Sequence, residues 1–449
     1  MADQSIIRIT KEIGELQKSS DLSLAVAFRD RDVRNVKALI IGPHETPYEF
    51  GFFEFAFKFN KEYPRKSPTV TGTTTNSGRC RFNPNIYASG KVCLSILGTW
   101  RGERGEEWSA AQGLESILLS IQSLMSTNPY ENEPGFEDAN QSHDKKNQKD
   151  YVAKIRHETL RISIIQRLED YLGITANGTV TPVAERELYD LDMDSDLEMD
   201  DPSVPWEPFK DLCKRRFLWY YDSYLETIKQ AKEEVKDGQP FARMPFEGTS
   251  NTMDGKFNYT ELEQRIRKIK AALDAEADNW ATEGLSPKMK DATVAVNLAR
   301  QFEQIKESYK RSDVPHCVEL VDGNPFVWHF TYFGRPMTNL DGGMFRIKLN
   351  FSPRFPEEQP RVKFLTSMFH HRIAADGTPC YFPNPSRRED VKQHIDAIIE
   401  ALEEEQPPYD PRTLVHPEAH KLYWGSPDER KMYNRQLRRS VQRSMEEDF

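Results

Sequence analysis

The 449-residue sequence predicts an α+β fold made of two diverged copies of one unit, joined by a helical, partly acidic region. Three observations predict it. The alternation Phe53, Phe55, Phe57, Phe59 returns as Phe345, Ile347, Leu349, Phe351. Pro64 and Pro68 return as Pro356 and Pro360 at the same offset of 292. Cys93 returns as Cys380 at an offset of 287, so the second copy has lost about five residues between its prolines and its cysteine. Strand phase, proline spacing and cysteine placement would all have to agree by chance for the repeat to be accidental.

In chain order, Ile6, Ile9, Ile13 and Leu16 recur at helical spacing and predict an N-terminal helix. "NVKALIIGP" reads as a strand ended by Gly-Pro. "FFEFAFKF" carries the period-two pattern of a half-buried antiparallel strand. The turn-rich "NKEYPRKSP" follows. Beyond Cys93, Leu114, Ile117, Leu118, Ile121, Leu124 and Met125 form an apolar helical stripe. The second copy replays this order. Leu298, Phe302, Ile305 and Tyr309 predict a helix, "FVWHFTYFG" and "FRIKLNF" predict strands, and Val391, Ile395, Ile398, Ile399 and Leu402 predict the closing helix.

Between the copies, "ERELYDLDMDSDLEMDDPSVP" (185–205) is acidic and closed by prolines, the pattern of a solvated loop. Its Asp190, Asp192, Asp194 and Asp196 superficially resemble a calcium loop. Ser195 stands where such a loop needs glycine and Asp201 where it needs glutamate, so calcium is not expected. The helical "PFKDLCKRRFLWYYDSYLETIKQAKEEV" and "NYTELEQRIRKIKAALDAEA" come next. The first is unusually aromatic, which predicts that residues 206–273 dock on the first copy. "EGLSPKMKD" (283–291) is the expected junction.

A net charge of −10 argues against broad binding to nucleic acid or an anionic membrane. No leader pattern opens the sequence and no apolar run is long enough to span a bilayer, so a cytoplasmic or nuclear location is the expectation. The five cysteines, Cys80, Cys93, Cys213, Cys317 and Cys380, are scattered without a Cys-x-x-Cys pair. That suits reduced thiols better than disulfides or zinc. Adjacent His370 and His371 lack a supporting carboxylate or thiol pattern and read as structural, so neither a metal nor a cofactor is expected. Taken alone Cys93 would be a buried core thiol by default; its neighbourhood changes that reading.

The runs "IRITKEIGEL", "IIGPHETPYEFGFFEFAFKF", "YPRKSP", the Asn-Pro-Asn turn and "GKVCLSILGTW" together resemble the ubiquitin-conjugating enzymes and their UBC fold. "ESILLSIQSLMSTNPYENEPGFE" and "IRHETLRISIIQRL" are similar to the large Z-type subgroup. Weaker similarity runs on through "FLWYYDSY" and "PFEGTSNTMDGKFNYTEL", to about residue 275. The resemblance implies antiparallel meander sheets flanked by helices. It divides the chain into a catalytic UBC domain (1–173), a helical Z-type extension (174–282) with its acidic loop at 185–203, and a second, degenerate UBC-like domain (291–449).

The resemblance also implies chemistry. Cys93 would accept the C-terminal glycine of ubiquitin or a ubiquitin-like protein from an activating enzyme, then pass it to a substrate lysine or a ligase cysteine. A thiolate serves because it is a strong nucleophile and a good leaving group, so one acyl transfer becomes two easier ones. The family's motif asparagine stands eight residues before the cysteine, as Asn85 does here, and implies an amide that stabilises the oxyanion. The motif histidine is Asn83, which can also bond locally in a turn. An acidic residue across the cleft positions the incoming lysine in the family; "NPYENEP" offers Glu131, Asn132 and Glu133, of which Glu133 is chosen. Partner contacts are carried over to Arg8, Lys11, Arg65 and Ser109. Arg65 replaces an aromatic, and Ser109–Ala111 read "SAA" where a Ser-Pro-Ala loop is usual, departures that argue against ordinary RING-type pairing. The insert "RGERGEE" lengthens the loop before Trp108.

The second copy departs further. Cys380 is its candidate thiol, but Arg372 holds the asparagine position and "YFPNPSRRED" follows the cysteine. An arginine can stabilise an oxyanion yet repels a lysine, so Cys380 reads as a relic or structural thiol; Cys80, Cys213 and Cys317 read as inert. The competing function is a non-catalytic scaffold that binds ubiquitin or a ligase and passes nothing on.

Overall fold

A helix opens the described chain because Asp3 accepts the Ser5 N–H at 3.0 Å and caps α1 (Gln4–Lys18). The computed structural model describes residues 3–19, 21–102, 105–175, 178, 206–248, 253–286, 293–313 and 315–446. The acidic loop expected at 185–203, with its aspartate series, lies outside them. The chain divides into two compact units, Met1–Lys210 with Thr227–Ile269, and Asp211–Glu226 with Lys270–Phe449. Among the described residues no helix is long and apolar enough to cross a membrane.

In the first unit α1 buries Ser5, Ile9, Glu12, Ile13 and Leu16. Ile6, expected on that face, is exposed, because it sits one residue round from Ser5 and so about 100° away. Four antiparallel strands follow in the order β1 (Leu24–Arg29), β2 (Asp32–Ile41), β3 (Phe52–Lys58) and β4 (Thr69–Gly72), each paired with the next. Register sets Ala38 opposite Phe55 and Phe57 opposite Val70. Phe53, Phe55, Phe57 and Phe59 join Ile117, Leu118 and Ile121 of α2 (Leu114–Leu124) in one core.

The alternation predicts a half-buried β3, but Phe52 and Glu54 on its other face are buried too. The cover is the continuous helical run of α3 (Ser142–Glu158), a π-helical turn (Thr159–Gln166) and α4 (Arg167–Leu172). Glu54 is tolerated there because Lys37 and Arg167 each meet it at 3.1 Å. Part of the extension completes this unit. Phe246 packs on Tyr130, Phe136 and Tyr151. The buried Lys154 pairs with Glu247 at 2.7 Å, and His157 accepts the Asn258 N–H at 3.1 Å.

The second unit repeats the plan. After α7 (Thr293–Lys310) come β5 (Cys317–Leu320), β6 (Val327–Phe333), β7 (Met344–Asn350) and β8 (Arg361–Phe364), in order and antiparallel. Phe345, Ile347, Leu349 and Phe351 face Leu298, Phe302 and the buried side of α8 (Val391–Glu403). Two further helices, α9 (Pro417–Trp424) and α10 (Pro427–Glu446), close it. Gly42 and Gly334 occupy equivalent bends after β2 and β6. A Cβ at either would stand 1.7 Å from a carbonyl oxygen, of Tyr48 or of Leu340.

Two helices between the copies contribute to both units: α5 (Lys210–Glu234) and α6 (Tyr259–Gly284). Docking of all of 206–273 on the first copy is therefore not what is found: residues 211–226 belong with the second. Asp211 meets Arg361 at 2.8 Å, Trp219 packs edge-on to Phe382, and the Tyr220 hydroxyl donates to the Arg412 carbonyl at 2.7 Å. An aromatic helix announces that something covers it, and these partners decide what. The expected junction begins inside α6, which runs to Gly284; its residues 287–291 lie outside the described chain.

Candidate active site

The Asn-Pro-Asn turn is built around a buried amide. Asn83 donates to the Tyr48 hydroxyl at 3.0 Å and to the Leu124 carbonyl at 2.8 Å, while its own carbonyl oxygen accepts the Asn85 N–H at 2.9 Å. Every strong bonding direction of that side chain is used, which explains how it sits fully buried. Asn85 then faces Cys93 twice. Its carbonyl accepts the Cys93 N–H at 2.8 Å, and its side-chain amide donates to the Cys93 carbonyl at 3.0 Å. Gly90, at φ 87°, closes the intervening loop so tightly that a Cβ would lie 2.5 Å from the Gly72 oxygen. Thr99 clamps the far side, donating to Val92 O at 2.6 Å and accepting from Leu94 N at 3.0 Å. Cys93 is 3% exposed.

Two residues that sequence reasoning missed complete the surroundings. Tyr87 lies beside the Cys93 thiol; burial first, and the thiol second, hold its phenol above its ordinary range. The guanidinium of Arg81 stacks 4.6 Å over the Tyr87 ring, donates to the Pro84 carbonyl, and donates to Glu133 at 3.0 Å. Glu133 is thus joined to the Cys93 turn through Arg81. Of its rivals, Glu131 is exposed, and Asn132 is spent on Asn83 at 3.3 Å and Leu124 O at 2.9 Å. Arg81 opens the stretch "RFNPNIY", but no local spacing signals a bond to a residue 52 positions away.

The expected partner residues fall on α1 and on two neighbouring loops. Arg8 binds Glu12 and donates to the Gln112 carbonyl at 3.4 Å, while Ser109 N donates to the Gln112 side chain at 2.8 Å. Trp108 donates to the Pro64 carbonyl at 2.8 Å, holding the Ser109 loop to the turn that bears the exposed Arg65. Buried Glu12 braces the group, accepting from the Tyr63 hydroxyl at 2.6 Å and Leu114 N at 2.9 Å. Lys11 extends into solvent beside Glu15.

In the second unit Cys380 is fully buried and its N–H donates to the Arg372 carbonyl at 2.7 Å. The Arg372 side chain lies 3.8 Å from its sulfur and 3.3 Å from Glu404. Burial raises the Cys380 thiol above its usual range, against the pull of Arg372 and Arg216. His370 accepts the Arg372 N–H at 3.1 Å, and His371 meets the Tyr433 hydroxyl at 3.1 Å. Among the described residues no three His, Cys, Asp or Glu side chains converge as a metal site. Cys80 and Cys213 are buried and Cys317 is exposed.

A thiol-bearing turn held by an asparagine eight residues upstream, beside a meander sheet packed against helices, defines a class. The sequence profile described as "Ubiquitin-conjugating enzyme" matches residues 8–159 and again 297–383, and the chain belongs to that family. Its relatives include the ubiquitin-conjugating enzyme E2 Z of Homo sapiens, 46% identical over 63% of this chain and 70% of the relative. The Danio rerio enzyme of that name is 36% identical over 61% of this chain and 70% of its own length. The Xenopus tropicalis one is 48% identical over 37% of this chain, a match spanning about half (52%) of that relative.

Proposed function

We propose that this chain conjugates ubiquitin or a ubiquitin-like protein, taking the modifier as a thioester on Cys93 and passing it to a substrate lysine or a ligase cysteine. The observation that carries the reading is the pair of hydrogen bonds between Asn85 and Cys93, inside the first family match. It fixes the peptide that bears the nucleophile and keeps a primary amide beside the carbon under attack. Glu133, one of whose oxygens is held by Arg81, is the carboxylate that meets the incoming ammonium. An activating enzyme loads the thiol in the cytoplasm or nucleus. Arg8, Lys11, Arg65 and Ser109 form the surface such partners use.

In this reading residues 1–173 are the catalytic domain, 174–282 the Z-type extension, and 291–449 a second UBC-like domain that binds or positions without transferring. Arg372 in the asparagine position, 3.8 Å from the Cys380 sulfur, supports that division of labour. The rival reading, a scaffold that never forms a thioester, is tested directly. The chain is incubated with activating enzyme, ATP and each of a panel of modifiers, then resolved with and without reductant. A reductant-sensitive adduct of one modifier is the expected result; its absence across the panel favours the scaffold.

A further inference from the structure

Arg81 is buried, and its side chain has three partners belonging to three different parts of the site. It donates to Glu133 at 3.0 Å, donates to the Pro84 carbonyl within the Asn-Pro-Asn turn, and lies 4.6 Å over the ring of Tyr87. Tyr87 in turn lies beside the thiol of Cys93. A planar guanidinium can hold a carboxylate and a carbonyl while stacking on a ring; an ammonium cannot do all three at once. Resting on the reading given under Proposed function, we propose that Arg81 is the positioning residue for amine acceptors, fixing Glu133 and Tyr87 as one unit around the thioester carbon.

The chemistry explains why amines in particular would need it. An acceptor lysine arrives as an ammonium with a pKa near 10.4 and must shed a proton before it can attack, whereas a thiol, near 8.5, sheds one far more readily. In the amine reaction the Nζ lone pair forms the new N–C bond and the C–S bond breaks. The electron pair leaves on the Cys93 sulfur; of the two protons that nitrogen loses, the ammonium proton shed before attack passes by way of Glu133 to solvent, and the one shed as the amide forms passes to the leaving thiolate. Only the oxygen of Glu133 that Arg81 leaves free takes part, so its direction depends on the oxygen that Arg81 holds. Arg81 itself touches neither the acyl group nor the acceptor.

The test compares acceptors on the full chain. Thioester is formed at Cys93, the activating enzyme is quenched, and discharge is followed onto free lysine and, separately, onto a small thiol. For Arg81→Met, lysine discharge is expected to fall at least tenfold more than thiol discharge or thioester formation. Arg81→Lys should recover part of the loss, since it restores a cation beside Glu133 without the stack. In a Glu133→Gln background, Arg81→Met should cost less than threefold further, because the group it positions is already lost. Equal slowing of both acceptors, or full additivity with Glu133→Gln, overturns the assignment. Failure of the unaltered chain to form any thioester instead removes the reading on which it rests.

Discussion

The two cysteine turns share a backbone and differ in what hangs from it. In one, Asn83 bridges to Ile86 and Ile86 to Val92; in the other, His370 bridges to Ile373 and Ile373 to Pro379. A side chain two residues upstream orients each turn, Asn83 for the Asn85 N–H and His370 for the Arg372 N–H. Each cysteine N–H donates to the carbonyl eight residues back, at 2.8 and 2.7 Å. Only beyond the backbone do they part. The first turn offers the cysteine a neutral amide, with a phenol beside it and a carboxylate tethered through Arg81; the second offers a guanidinium 3.8 Å from the sulfur that also lies 5.1 Å over the Phe382 ring. Keeping a turn needs hydrogen-bonding groups of almost any type, while transferring an acyl group to an amine needs particular ones.

The largest expected break in the comparison is Cys93→Ser against Cys380→Ser. The first should abolish reductant-sensitive charging or trap a stable oxyester, and the second should leave charging near normal, as read on gels. Next, Asn85→Ala should slow lysine discharge by about 10²–10³, the usual cost of one oxyanion donor, and slow thioester formation much less. The two half-reactions timed separately decide it. Arg372→Asn in a Cys93→Ser chain sharpens the contrast: Cys380 should remain uncharged, because Ala374 still stands six residues before it where Tyr87 stands before Cys93.

Stability should separate the units as well. Burial alone would raise the Asp211 carboxyl, but Arg361 and Arg215 hold it down to about 2. Asp211→Ala strands a buried Arg361 and should cost the second unit about 3–5 kcal/mol, measured by hydrogen exchange in urea across 293–446. The smallest effect is one of pH. Burial, reinforced by nearby arginines, lowers His370 to about 3 and His394 to about 4. The unfolded chain therefore binds more protons below pH 6.5, and stability falls as pH drops through that value. By pH 5 each histidine should cost the second unit about 2 kcal/mol. In the first unit His44 is shifted the other way: burial opposes its charge, but Glu49 overrides burial and raises it. That contribution is present at low pH and lost on raising pH, so acid should loosen the second unit first.

Much of this was legible because it was periodic. β3 and β7 show themselves through alternating large apolar side chains, and α2 and α8 through their stripes. β1 and β5 went unread, being short and only partly buried, so that "LAVAFR" and "CVEL" present no clean alternation. Cys93 and Asn85 stood out by their spacing. Tyr87 and Arg81 did not, since their importance lies in a stack and in a bond to a distant chain segment, neither of which has a sequence period. The partner of 211–226 was misjudged for a related reason: aromatic content reveals burial without revealing against what.

Gly42 and Gly334 carry a consequence for anyone scanning this chain by saturation mutagenesis. Each is closed to all nineteen alternatives by a carbonyl oxygen 1.7 Å from where a Cβ would go, so both positions should score as depleted in any assay that reads abundance. Only Gly42 lies in the unit that holds Cys93. The two sites therefore calibrate the scan from within, one marking how far lost folding of the unit that holds Cys93 depresses conjugation, the other how far lost folding of the unit that holds Cys380 does.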